Sequence, residues 1–515
     1  MDPKVIVTYL GHAGWMIETQ HELILMDPWL SKDGAYEGAW FQYPCNHHLA
    51  DSVVSKVKET TKKVYVYVSH EHLDHFDARF LERLVSKTSK ETPLLLIPKC
   101  SRVSIKTWAF YNWGFNRVYE FEDKDWLYLV DGYFQFYIHD SVRETDSAIL
   151  FHTKDFNFLN LNDCHIHERV KEIQLFHGDI DVLTGHFSGA SWFPTCYTGR
   201  SYKSQARKNK FARFNTLCKL MEEVKPKYYV PSAGPACFLD PQLYHLNFSS
   251  DSIFPHASEF YDFWLRYKGD LSGTNFKYLK PGDTLFSSPL RTPPVYTKEE
   301  LEIELLDYQK RIPGYAKSQI WDPWDHVMPK LAGELLLKLK AFPLSKEIEH
   351  DLFLICQDQE WCIKVDFQGQ SISFESLPEE GSYTYQIIAT EESWRSLASD
   401  DVTWYQWLLA FRFQIYREPD TFDTILDGFL VCESHELKDF EKHYHSRITD
   451  ETIEVKDGNN VYKVCAKCPH EGADMSKGWV ENGKLVCPKH SWKFDLENNG
   501  KCEEHNSSIK VEKMS

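Results

Sequence analysis

Hydrophobic positions in the first part of the chain come in short runs of β-forming residues. Lys4–Leu10 reads as a strand, Gly11–Gly14 as a turn, and Trp15–Thr19 and Leu23–Met26 as two further strands, the last ending at Asp27-Pro28. Val64–Val68 is apolar throughout and reads as a buried strand; it runs straight into Ser69–His75. A helix is expected over about 77–88, more strands at 94–98, 126–130, 133–138, 147–152 and 156–161, and a long helix at 202–224. Strands mixed with helices, with a polar cluster at a strand end, predict a layered α/β fold. Its end is placed near residue 290, at Pro289 and Pro293-Pro294.

The pattern then changes. Lys298–Arg311 reads as a helix with Leu301, Ile303, Leu305, Leu306 and Tyr308 as core positions, His350–Phe367 and Gln370–Phe374 as strands, and Trp404–Tyr416 as a dense aromatic-aliphatic helix. No chemical motif stands out here, so 291–450 is read as an α+β accessory or substrate-shaping module. The tail, 451–515, is strand-rich: Thr452–Val455, Asn460–Ala466, Lys484–Val486, Ser491–Asp495 and Ser508–Glu512.

Composition narrows the function classes. With 58 Lys+Arg against 76 Asp+Glu, the chain of 515 residues carries a formal charge of −18, the wrong sign for a general nucleic-acid binder. No apolar run approaches the ~18–20 residues that span a bilayer, and the start has no export pattern. The 13 cysteines are then expected as reduced thiols of a cytoplasmic protein, unless their spacing says metal.

In the tail the spacing does say metal. Cys468-x-His470 and Cys487-x₂-His490 each pair a thiolate with an imidazole. A Rieske [2Fe-2S] cluster needs two thiolates on one iron and two imidazoles on the other, and each half-motif supplies one of each. Gly472, Gly478 and Gly483 permit the tight loops. A Cys₂His₂ zinc site, the rival, usually has both cysteines before both histidines. The stretches Cys468–Gly472 and Cys487–Asp495 resemble Rieske domains of the oxygenase or ferredoxin type, since neither loop carries an extra cysteine. Such a cluster implies a donor before it, namely a ferredoxin, cytochrome or NAD(P)H-dependent reductase, and an acceptor after it.

The acceptor is sought in the first domain. His70-x-His72-x-Asp74-His75 puts three imidazoles and a carboxylate within six residues, directly after a buried strand. Such a loop places several ligands on one or two metal ions. Asp163, His139 and His186 stand at other strand ends and are further candidate ligands; Asp74 and Asp163 are also the candidate catalytic carboxylates. Asp27 is expected to hold the ligand loop from behind the ligands.

The pattern His70-x-His72-x-Asp74-His75, with Gly11-His12-Ala13 and Leu25–Pro28, resembles the metallo-β-lactamase superfamily. The implied architecture is α/β: an αββα sandwich over 1–290, the α+β module over 291–450 and an all-β Rieske domain over 451–515. Asp27–Leu30, Asn162–Cys164, Phe187–Pro194, Pro226–Gly234 and Pro281–Thr284 resemble CMP-N-acetylneuraminate hydroxylases more narrowly, although their Rieske domain precedes the other and here it follows. What that resemblance implies is a Rieske-dependent monooxygenase: O₂-dependent hydroxylation of a nucleotide sugar at its N-acetyl methyl, at non-haem iron rather than zinc. Pro231–Gly234 offers no histidine where the superfamily's hydrolases carry a late one.

Two other classes stay in view: a metal-dependent hydrolase with a redox-sensing cluster, and an N-oxygenase or plain electron-transfer protein. Arg200, Lys203, Arg207, Lys208, Lys210 and Arg213 crowd one predicted helix and point to an anionic small-molecule substrate.

Overall fold

The computed structural model describes residues 5–88, 93–99, 109, 113–140, 145–248, 250–289, 291–312, 324–359, 361–378, 384–399, 402–447, 451–470, 472–488, 492–502 and 507–514. Two sheets face each other in the first domain. One runs β1 (Ile6–Gly11), β2 (Gly14–Glu18), β3 (Glu22–Met26), β4 (Lys63–Tyr67), β5 (Pro93–Pro98), β6 (Val118–Phe121) in spatial order. The other holds β7 (Trp126–Tyr128), β8 (Gly132–Asp140), β9 (Thr145–Thr153), β10 (Phe156–Asn160), β11 (Val182–His186), β12 (Tyr228–Ser232) and β13 (Asn275–Phe276), also in sequence order across the sheet. Each sheet is antiparallel in its first half and parallel in its second.

The period of two sends successive side chains to opposite faces. On β3, Leu23 and Leu25 pack under α1 (Ala50–Glu59) and α2 (Ala78–Lys87), while Ile24 and Met26 face the second sheet. Phe134, Phe136, Ile149 and Phe151 meet them from β8 and β9. The outer face of the second sheet is covered by α3 (Val170–His177), α4 (Arg200–Val224) and α5 (Ala257–Arg266). That is the αββα sandwich.

The accessory region begins with α6 (Lys298–Arg311), opened by a Thr297–Glu300 capping box. Leu301, Leu305 and Tyr308 are buried as expected, but Ile303 and Leu306 are exposed, because the helix packs one narrow face only. After α7 (Trp324–Ala341), a sheet follows in the spatial order β16 (Ser371–Ser376), β15 (Trp361–Asp366), β14 (Asp351–Cys356), β17 (Thr384–Ala389), β18 (Phe413–Glu418). The long helix expected over Trp404–Tyr416 is corrected: α8 spans Trp404–Leu409 only. Phe411 sits at φ +59°, which ends the helix, and Phe413 onward pairs with β17. α9 (Thr424–Val431) completes the module's core.

This module is welded to the sandwich. One hydrophobic cluster joins Trp29, Tyr36, Trp40 and Trp192 to Leu335, Leu354, Trp407 and Ile415. The Ile415 amide donates to the Cys196 carbonyl at 2.8 Å and the Thr198 amide to the Ile415 carbonyl at 2.9 Å, so a first-domain segment extends the module's edge strand.

The tail is all-β. β19 (Thr452–Asp457) and β20 (Asn460–Cys465) pair with β25 (Val511–Met514); β21 (Trp479–Glu481), β22 (Lys484–Val486), β23 (Lys493–Asp495) and β24 (Lys501–Cys502) form a second sheet. Cys45, Cys164, Cys196, Cys218, Cys237, Cys356 and Cys362 form no disulfide, and among the described residues no helix is long and apolar enough to cross a membrane.

Candidate metal centre and cluster site

Ligands gather where strands of the first domain end. β4 stops at Tyr67 and delivers Ser69–His75; the turn after β10 delivers Asp163; the β1–β2 turn delivers His12. Strand ends suit this work because they fix a loop's origin while leaving its side chains free to converge. Two groups of three ligand atoms result, each group lying within 4.8 Å: His12, Asp74 and His75, and His70, His72 and Asp163. The groups adjoin, with His75 Nε2 3.6 Å from Asp163 Oδ2 and 3.7 Å from Asp74 Oδ2.

The atoms left over fit metal ions. His75 Nε2 and Asp163 Oδ1 are buried without a hydrogen bond, which is costly unless something else occupies them. An imidazole and carboxylate donor set suits iron, zinc or manganese. His70 and His75, both fully buried, have their second nitrogens spoken for: His70 Nδ1 lies 2.9 Å from Ser69 Oγ and His75 Nδ1 2.8 Å from Asp27 Oδ2. That leaves each Nε2 toward the site, the tautomer that ligation needs.

Asp27 organises the loop from behind. It accepts from the Ser69 amide at 2.7 Å and the Ser69 hydroxyl at 2.6 Å, besides facing His75. His72 turns its other nitrogen toward the group: Nδ1 sits 2.8 Å from His70 Nε2, and Nε2 lies 2.9 Å from the Tyr405 hydroxyl. Tyr405 belongs to α8, so the accessory module reaches into the first domain's centre. Tyr36 donates to Asp74 Oδ1 at 3.1 Å, and His12 Nε2 stands 3.0 Å from Asp74 Oδ2.

Electrostatics follow from this crowding. Burial alone raises the Asp74 carboxyl, but His75 and the His12 hydrogen bond outweigh it and hold Asp74 well below the usual carboxylate range. Asp163 is lowered in the same way, burial being outweighed by His75. Burial pushes His70 down, with His75 and His72 adding to it. His75 is driven up against its burial by Asp163 and Asp74.

Of the residues singled out in the sequence, the structure brings His70, His72, Asp74, His75 and Asp163 together. His139 and His186 stand in a neighbouring histidine cluster, outside both groups; His186 Nδ1 lies 3.1 Å from the Asn162 carbonyl. Sequence reasoning missed three participants. His12 was legible only as part of a Gly-His-Ala turn. Asp146, buried on β9, comes within 3.8 Å of His70 Nε2 and is a lone aspartate in its strand. Tyr405 had no local signal at all. The late segment Pro231–Gly234 abuts the site without a ligand, its Ala233 amide donating to the His12 carbonyl at 3.0 Å.

In the tail, Cys468 and Cys487 are both buried, each at the mouth of a tight loop. The Gly472 amide donates to the Cys468 carbonyl at 2.8 Å with Gly472 at φ +67°, and the Cys487 amide donates to the Trp492 carbonyl at 2.8 Å. His470 stacks on Trp492 at 4.2 Å between ring centroids, and Phe422 of the accessory module approaches both rings. His490 lies outside the described residues.

The sequence model of the Rieske [2Fe-2S] domain matches residues 427–514, and that of the β-lactamase superfamily domain matches residues 6–233. The chain joins a β-lactamase-fold domain to a C-terminal Rieske domain. A Rieske 2Fe-2S iron-sulfur protein of Mycolicibacterium smegmatis is 28% identical over 539 residues, covering 96% of this chain and 97% of its own length. Among solved structures, the diiron β-hydroxylase CmlA of Streptomyces venezuelae is 14% identical, with a TM-score of 0.36, covering 55% of this chain and 54% of that one. The metallo hydrolase Igni18 of Ignicoccus hospitalis is 13% identical, with a TM-score of 0.32, covering 55% of this chain and 97% of that one.

Proposed function

We propose that this chain is a Rieske-dependent oxygenase: with a [2Fe-2S] cluster in the tail and non-haem iron in the first domain, it would draw on an external electron donor and O₂ to hydroxylate a small anionic substrate. The observation that carries the reading is the pairing, in one chain, of a Rieske domain with two adjoining three-ligand sets of buried imidazoles and carboxylates. His70, His72 and Asp163 would hold one ion, and His12, Asp74 and His75 the other; Asp163 Oδ2 lies 3.6 Å from His75 Nε2. Asp146 adds a carboxylate beside His70. Cys468, Cys487, His470 and His490 would hold the cluster. Iron bound there supplies electron transfer and O₂ activation.

The chain's own residues do the rest. Asp27 and Ser69 fix the ring orientations of His70 and His75, so the ligand loop is preorganised. Tyr36 and Tyr405 bind the outward atoms of Asp74 and His72 and cover the centre from outside. A shallow recess lined by Tyr9, His12, Phe187, Tyr278 and Tyr296 reaches His12, one member of the two sets. Nucleotide sugars of the CMP-N-acetylneuraminate kind are the first substrate class to test, on the sequence resemblance; oxidation at carbon or at nitrogen follows from the product's structure.

The test is a single turnover. Protein reduced under argon is mixed with O₂ and a panel of nucleotide sugars and small carboxylates, and products are weighed. A product heavier by one oxygen, labelled from ¹⁸O₂, supports the reading. Hydrolysis of phosphoesters or lactones without O₂ contradicts it and favours the hydrolase class.

A further inference from the structure

The accessory module reaches one histidine of each site. Tyr405 meets His72 in the first domain, and Phe422 meets His470 in the tail. Phe422 stands in the loop between β18 and α9, ahead of residue 427, where the match to the Rieske domain begins. Its ring nevertheless packs against the tail's hydrophobic core. The His470 imidazole lies stacked on Trp492, with 4.2 Å between centroids and 6° between planes. Phe422 stands across both rings, 5.5 Å from His470 and 5.8 Å from Trp492, at 80° and 76°. Edge-to-face contacts at such distances are favourable, and the apolar area they cover is closed to water.

The loop is built to hold that ring in place. Asp420, two residues before Phe422, accepts from Arg417 Nε at 2.9 Å and from the hydroxyl of Tyr202, which belongs to α4 of the first domain. Arg417 is itself buried, its guanidinium 4.7 Å from the centre of the Tyr197 ring. The Thr421 amide donates to the Pro419 carbonyl at 2.8 Å. Asp423, the residue after Phe422, caps α9: its Oδ1 accepts from the Ile425 amide at 2.8 Å and the Leu426 amide at 3.0 Å. Phe422 is therefore anchored on both sides, by one carboxylate tied to the first domain and one tied to the module's own helix.

We propose that Phe422 is a positioning residue for the Rieske cluster: loop 419–423 sets its ring against His470, fixes that imidazole on Trp492 and keeps water from it. The accessory module is then the seat of the tail within the same chain. The inference goes beyond the oxygenase reading and does not rest on it, since it needs only the cluster. Its consequence is electrostatic. With two thiolates and two neutral imidazoles the oxidised cluster carries no net charge, and one added electron makes it an anion. An apolar wall withholds the water that would solvate that anion, so Phe422 holds the midpoint potential down.

Redox titration of the cluster-loaded full chain, followed by EPR, reads the effect. In Phe422→Ala the reduced-to-oxidised ratio at the wild-type midpoint is expected to rise about threefold or more, an upward shift of about 30 mV for one electron. Electron spin echo envelope modulation of the reduced cluster in D₂O reads the water itself, and the deuterium modulation should grow in Phe422→Ala. Phe422→Leu, which restores apolar bulk, should stay near the wild type in both measurements. Iron and sulfide per chain serve as the folding control. If Phe422→Ala loses the cluster, Asp420→Asn carries the test, because it loosens the loop and keeps the ring; a shift of the same sign is expected, and an unchanged potential in that variant overturns the proposal.

An unchanged potential and unchanged modulation in Phe422→Ala, with the cluster intact, also overturn it, as does a downward shift. Equal shifts in Phe422→Leu and Phe422→Ala would do the same, since exclusion of water needs only apolar bulk. A chain that fails the single-turnover test yet shows these shifts loses the oxygenase reading and keeps the role of Phe422.

Discussion

Replacing Tyr405 by Phe deletes one hydroxyl and nothing else, which makes it a clean probe of the accessory module's part in the metal centre. That hydroxyl lies 2.9 Å from His72 Nε2, while His72 Nδ1 faces His70 across 2.8 Å. The ring itself stays packed, at 5.4 Å from the His72 imidazole and 5.9 Å from Trp192. Losing an outer partner of a ligand histidine typically costs 10–100-fold in metal affinity, or about 1.4–2.8 kcal/mol. Tyr405 is only half-buried, so water can replace part of the lost hydrogen bond and the lower end applies, about tenfold. The assay is competitive titration of Fe(II), or Co(II) for its absorbance, against a chromophoric chelator under argon. The Rieske EPR signal serves as the folding control. A variant whose Kd stays within about twofold of wild type, with an unchanged Co(II) spectrum, refutes the claim that the module orients His72.

Other outcomes follow from the same geometry. Asp163→Asn should cost more metal affinity than an outer partner does, beyond about 100-fold, with the cluster's EPR signal intact; metal analysis after dialysis reads it, and full retention of metal would remove Asp163 from the ligand sets. Asp27→Asn should weaken metal binding by about 10–100-fold without touching an ion, because it loosens Ser69 and His75 together; unchanged affinity would show the loop orders itself. His470→Cys should lower the cluster's midpoint potential by on the order of 100 mV and change its rhombic EPR signal, since thiolate ligation favours the oxidised cluster; an unchanged signal would exclude His470 as a ligand. Lys338 is buried, bonded to the Phe429 carbonyl at 2.9 Å and set 4.2 Å from the Trp404 ring, and burial pulls its ammonium down to about 8. Its folded value lies below the unfolded one, so charging it costs about 3 kcal/mol below pH 8, and that cost fades as pH rises toward the unfolded value. Between pH 7 and 9.5 the wild type should therefore gain about 2 kcal/mol relative to Lys338→Met in urea unfolding; parallel pH profiles would contradict this.

What the sequence revealed divides along a physical line. Period-two runs such as Leu23–Met26 and Val64–Val68 announce strands because the pleat itself imposes the alternation between faces, and the ligand loop after β4 is dense enough to declare its chemistry locally. The two Rieske half-motifs are local for the same reason. Tyr405 and Asp146 are different. Each acts through a partner far away in the chain, His72 and His70, and nothing near either residue in sequence registers that contact. Trp404–Tyr416 misled because aromatic density fits a buried helix and a buried strand alike; the left-handed turn at Phe411 and the pairing with β17 decide between them. The cations of the long helix look alike along the chain, and only packing shows that Lys210 and Arg207 are held by Glu259 and Asp251.

The central claim is that one chain holds a Rieske cluster and a separate iron centre. Anaerobic purification, with iron, zinc and acid-labile sulfide counted per chain and EPR recorded before and after dithionite, tests it most directly. About two sulfides, about three or more irons and a rhombic low-g signal after reduction are expected. About two irons, all within the cluster, together with zinc in the first domain would contradict it.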